Sequence, residues 1–165
     1  MRKLALTLLL GVSLPAFASI QSDIDGGSSA IDALKKATAS CESASCQEDA
    51  ITALLEAGVT IEVALAAALN TFPSSADAIA AVTKAALSTS KDDSTVTLKL
   101  IAEAAIKLEV SVENIATGLN DAAPEGTDLA EIVTLLDDTA AGKTVTVVDN
   151  QIVIEVIVND DISDS

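Results

Sequence analysis

Almost every side chain that enzymes and nucleic-acid readers rely on is missing from this chain. It has no His, Trp or Tyr, one Met at position 1, and two Phe, of which only Phe72 lies beyond residue 17. Its one Arg is Arg2. Without His, no side chain changes charge near neutral pH at its ordinary pKa. Without Arg in the body of the chain, bidentate recognition of phosphate and carboxylate is lost. Scarce aromatics remove the stacking platforms on which bases are held. A non-enzyme without cofactors is the expectation, and nucleic acid is excluded as a partner.

Long apolar runs are also lacking. The longest, Leu4 to Val12, is interrupted by Thr7 and Gly11 and falls short of the ~20 residues that cross a bilayer. Arg2 and Lys3 before it, and Pro15-Ala16-Phe17-Ala18 after it, complete a secretory signal with small residues at the cleavage position. Residues 1–18 are therefore expected to be cleaved after Ala18. No Cys stands there to carry a lipid. The expected location is periplasmic or extracellular, with no stable membrane insertion once the signal is gone.

What remains is acidic. The signal takes both Arg2 and Lys3 from nine basic residues, leaving seven lysines against 25 acids, a net charge of −18. Such a surface repels phosphate backbones and anionic headgroups. It leaves room for weak surface calcium binding by Asp23, Asp25 or the C-terminal tail. Yet half of the residues are apolar and recur with helical periodicity, which argues against a disordered chain.

Cys41 and Cys46 are the only cysteines. In an oxidising compartment an isolated pair reads as a disulfide, worth about 2 kcal/mol for so small a loop. A metal site would need further Cys or His ligands, and the chain has none.

Local signals predict a mainly α fold: an Ala-rich, repeat-like bundle of about seven short helices, with a C-terminal β-hairpin. Residues 19–27 read as a flexible arm and 28–142 as the helical domain. Ser29-x-x-Asp32 opens a helix to about Ser40, and Ser45-x-x-Glu48 opens a second that Gly58 ends. Thr60 starts a third, stopped by Pro73. Ser74-x-x-Asp77 caps a fourth. A fifth runs from Ser94 to Leu108, a sixth follows Ser111, and Thr127 caps a seventh that closes near Gly142. A 51-residue shift aligns Ala53 with Ala104, Val59 with Val110, Glu62 with Glu113 and Pro73 with Pro124, the signature of an internal repeat.

Residues 143–158 change character. Two β-branched runs flank Asp149-Asn150, a two-residue turn that sets Val147 opposite Ile152, Val145 opposite Ile154, and Lys143 opposite Val156. Those pairs share one nearly apolar face. Val145, Val147, Ile152, Ile154, Val156 and Val158 are the candidate interaction edge, because a two-stranded sheet has edges able to accept another strand. Residues 159–165 form an acidic tail.

Apparent catalytic motifs dissolve on inspection. Ser88-Thr89-Ser90-Lys91 matches the S-x-x-K of acyl-serine enzymes but lacks their further elements and lies in a polar break. Gly142-Lys143-Thr144 resembles the end of a phosphate loop, but the first glycine position is Asp137, and a helix precedes and a strand follows. Asp92-Asp93, Asp137-Asp138 and Asp160-Asp161 read as solvated charge. An EF-hand started at Asp23 puts Leu34 where the bidentate Glu belongs. Phe72 reads as a core plug.

The functional expectation is an exported interaction or structural protein, engaging a protein partner or itself through the hairpin. The alternative is a carrier of a small apolar ligand in a groove between Ala-rich helices.

Overall fold

The structure, a computed structural model, describes residues 15–39, 41 and 43–157. Among these residues lie eight helices and one hairpin. The helices are α1 (Pro15–Asp25), α2 (Ala30–Thr38), α3 (Ala44–Glu56), α4 (Ile61–Leu69), α5 (Ser75–Thr89), α6 (Ser94–Lys107), α7 (Val112–Asn120) and α8 (Ala130–Thr139). The strands are β1 (Lys143–Val148) and β2 (Gln151–Val156).

Most helix starts follow the local code. The hydroxyls of Ser29, Thr60, Ser74 and Ser111 accept hydrogen bonds from the backbone N–H of Asp32, Val63, Asp77 and Asn114. Each such cap contributes about 1 kcal/mol. Two starts differ from expectation. The cap of α3 is Ser43, which accepts from Cys46 N–H, so Ser45 sits inside the first turn. At α8 the Thr127 hydroxyl donates to the Pro124 carbonyl, and the Asp128 carboxylate takes the Ala130 N–H. That helix begins three residues after Thr127.

The arm expected at 19–27 is instead largely helix. Residues 19–25 continue α1, Ile20 is fully buried and Ile24 packs partly against the same core. These two apolar residues, four apart, turn one side of an otherwise polar segment to the core, and the helix packs on α2 and α3. The Lys36 ammonium adds hydrogen bonds of 2.8 and 2.9 Å to both carboxylate oxygens of Asp23. Asp23 is thereby engaged by a cation of the chain itself.

The backbone repeats itself at the 51-residue shift. At the end of α3, the N–H groups of Ala57, Gly58 and Val59 donate to Ala53, Leu55 and Leu54. At the end of α6, those of Leu108, Glu109 and Val110 donate to Ala104, Ile106 and Ala105. Gly58 holds the left-handed φ of 83° that glycine adopts without cost, whereas Glu109 holds φ 58° at the matching position. Helices α4 and α7 coincide under the same shift, and so do the Thr83 and Thr134 hydroxyls that donate to carbonyls four residues back.

Helix α5 is central and packs on α3, α4, α6 and α7. Its contact with α7 is close because Gly118 has no side chain. A Cβ there would stand 2.6 Å from the Ala76 carbonyl oxygen and 2.7 Å from Ile79 Cβ. With so many alanines, the core gains its contacts from such proximity and from buried Leu34, Leu65, Ile79, Leu98, Ile115 and Leu136. Phe72 fills this core at 7 % exposure. One end is covered by α1 on α2 and α3, the other by the hairpin on α7 and α8.

Candidate interaction site

The hairpin has the register that its turn dictates. Val147 faces Ile152, Val145 faces Ile154 and Lys143 faces Val156. Asp149 and Asn150 both take positive φ, 51° and 60°, the requirement of a type I′ turn. The shared apolar face is only partly covered by helix. Val145 and Ile152 are buried and Ile154 is half-buried, while Val147 and Val156 are 43 % and 68 % exposed. Val158 lies outside the described residues.

The edges are less open than a bare two-stranded ribbon would be. In this register the backbone groups of 143, 145 and 147, and of 152, 154 and 156, point away from the partner strand. Asn120, the last residue of α7, occupies one of these places. Its carboxamide accepts from Ile152 N–H at 2.8 Å and donates to Ile152 C=O at 2.9 Å, the two bonds that a neighbouring strand would make. On the opposite edge Asp137 of α8 accepts from Val145 N–H at 2.9 Å, and Lys143 N–H donates to the Ala140 carbonyl. Among the described residues no hydrogen bond reaches the outward N–H and C=O of Ile154 and Val156. The candidate edge thus divides. Val145 and Ile152 anchor the hairpin, and Ile154 with Val156 keep a short open ladder beside exposed Ile157.

Charge frames the same region. Lys143 donates to the Glu113 carboxylate of α7, and that bond holds the Glu113 carboxyl below its ordinary range. Glu113, Ala116, Asn120 and Ile154 line a shallow groove of ≈180 Å³ along β2.

A second surface was not legible as such in the sequence. Val63 of α4 and Val96 and Leu100 of α6 are 48 %, 50 % and 44 % exposed. Their helices turn other residues inward: Ala64 and Leu65 on α4, Thr97, Leu98 and Ile101 on α6. Contiguous grooves of ≈260, ≈290 and ≈320 Å³ follow this face. Lys99 donates to Glu131 at 2.7 Å, a bond that raises the Lys99 pKa, with Glu103 adding a smaller pull.

Ser88 donates to the Ala85 carbonyl at the end of α5. A groove of ≈480 Å³ between α3 and α5 has an alanine floor with Glu48, Asp77, Asp121 and Lys84 around it. Among the described residues no three Cys, Asp or Glu side chains gather as metal ligands. Cys41 and Cys46 form a disulfide with Cα atoms 5.5 Å apart. No described helix is long and apolar enough to cross a membrane. No protein-family model, curated protein or solved structure matches this chain.

Proposed function

We propose that this is an exported, non-enzymatic interaction protein that self-associates through the open part of its β2 edge. The observation that carries this reading is the ladder at Ile154 and Val156, whose outward groups lack partners among the described residues beside exposed Val156 and Ile157. Strand addition at such an edge supplies main-chain hydrogen bonds and needs none of the side chains the chain lacks. The Cys41–Cys46 disulfide supports export, because such bonds persist in oxidising compartments. Mutual repulsion of two acidic bodies keeps the association weak at low salt.

Val156→Pro tests it. Proline removes the outward N–H of residue 156 and leaves the bonds inside the hairpin intact, as edge positions tolerate. Light scattering over a concentration series is expected to show a dimer for the chain and a monomer for the variant. A monomer in both cases overturns the proposal.

The apolar groove of ≈320 Å³ lined by Ala30, Ile31, Val63, Ala66 and Leu108 favours a second reading, a carrier of a small apolar ligand. Native mass spectrometry of freshly purified chain would then show a co-purified hydrophobe, and bare mass alone would refute it.

A further inference from the structure

The exposed face of α4 and α6 has a shape and a charge pattern distinct from the hairpin. Three grooves run side by side along it. Leu100 and Glu103 form walls of two, and Thr60 and Glu62 are shared with the third. From Val96 to Lys107 the α6 side of this face extends about 17 Å, three turns of helix. Its surface is built from helix ridges and carries no strand edge, so it complements the side-chain rows of another helix.

Charge selects the kind of helix. Along α6, Lys99, Glu103 and Lys107 succeed one another at four-residue intervals. Lys99 reaches across to Glu131 at 2.7 Å and Lys107 to Glu62 at 3.7 Å. Glu103 stands between them, half-buried and lining two of the grooves, with no cation within ion-pair distance among the described residues. A partly desolvated carboxylate beside Leu100 gains most from an incoming ammonium or guanidinium. A second copy offers only Lys99 and Lys107 here, and each is already paired with a carboxylate of its own face. An anionic membrane surface is repelled by the carboxylates of this face.

We propose that the α4–α6 face docks a cationic amphipathic helix, with its apolar row over Val63, Val96 and Leu100 and a Lys or Arg on Glu103. The partner is recognised as calmodulin-type targets are in general terms, by an apolar stripe seated in a groove with basic residues at acidic rims. This surface is separate from β2, so it stands or falls independently of self-association.

The test uses the purified full chain and a fluorescein-labelled synthetic helix of Leu and Lys, three to four turns long, followed by anisotropy. Saturable one-to-one binding is expected. Leu100→Ser and Glu103→Gln, both at solvent-accessible positions, should each weaken it about tenfold, while Val156→Pro leaves it unchanged. The matching Leu and Glu peptide should not bind. Equal affinity of wild type, Leu100→Ser and Glu103→Gln would reduce the effect to diffuse attraction and overturn the proposal. So would dimerisation of the chain itself that Leu100→Ser abolishes.

Discussion

Asn120→Ala separates what holds the hairpin from what keeps its edge closed. The Asn120 carboxamide makes two bonds with Ile152, at 2.8 and 2.9 Å, in a partly buried setting. Removing it deletes two hydrogen bonds of about 1 kcal/mol each and leaves the Ile152 N–H and C=O without partners. Alanine's better helix propensity returns only a few tenths of a kcal/mol at a helix end. The expected loss is about 2 kcal/mol. With so few aromatics the transition is followed by circular dichroism in urea, which reads the helices directly. Hydrogen exchange at the Ile152 amide supplies a local readout and should accelerate more than that at Val145, which Asp137 still holds. The same change lengthens the open ladder from Ile154 back to Ile152, so self-association should strengthen as monomer stability falls. Unchanged Ile152 exchange with a stability loss below about 0.5 kcal/mol would refute the strand-mimic role of Asn120.

Other consequences are equally direct. Gly118→Ala gains about 1 kcal/mol of helix propensity but drives a Cβ to 2.6 Å from the Ala76 carbonyl oxygen; overpacking costs typically 1–3 kcal/mol, so urea melts should show a net loss. Glu109→Gly relieves a left-handed non-glycine residue at φ 58° and should raise stability by about 1 kcal/mol, whereas Gly58→Glu should lower it. Glu113→Gln removes a carboxylate whose pKa Lys143 depresses. A depressed carboxylate adds stability above its unfolded pKa, near 4.3, that is lost as pH falls through the folded value. The stability difference between wild type and Glu113→Gln should therefore be present at neutral pH and vanish in acid, and it stays small because the pair is exposed.

Legibility followed sequence distance. Caps such as Ser29, Thr60, Ser74 and Ser111 act on an N–H three residues away, so their chemistry is visible locally. The hairpin register was visible for the same reason, since a two-residue turn between β-branched runs leaves one pairing that keeps an apolar face. The edge plugs were not. Asn120 acts on a strand 32 residues later, and Asp137 on one eight residues later across a bend; in the sequence they are only a helix end and half of an acid pair. Helix α1 escaped notice because Ile20 and Ile24 are the only large apolar residues of 19–27, too few to set up a periodic pattern. The α4–α6 face escaped because composition marks Val63, Val96 and Leu100 as apolar without saying which side of each helix is covered.

Salt distinguishes the two surfaces. Single exposed hydrophobics are ordinary, but among the described residues the large ones fall on two places, Val63, Val96 and Leu100 on the helices, and Val147, Val148, Val156 and Ile157 on the hairpin and just after it. Joining two hairpins brings together bodies of like charge, and screening within a Debye length of about 10 Å at 0.1 M relieves that repulsion. Self-association should therefore tighten as salt rises. Docking a cationic helix on Glu103 draws on the opposite attraction and should weaken over the same range. Light scattering and peptide anisotropy on one salt series must move in opposite directions. If both weaken together, the hairpin contact is itself held by charge pairs, and backbone pairing at Ile154 and Val156 is not its basis.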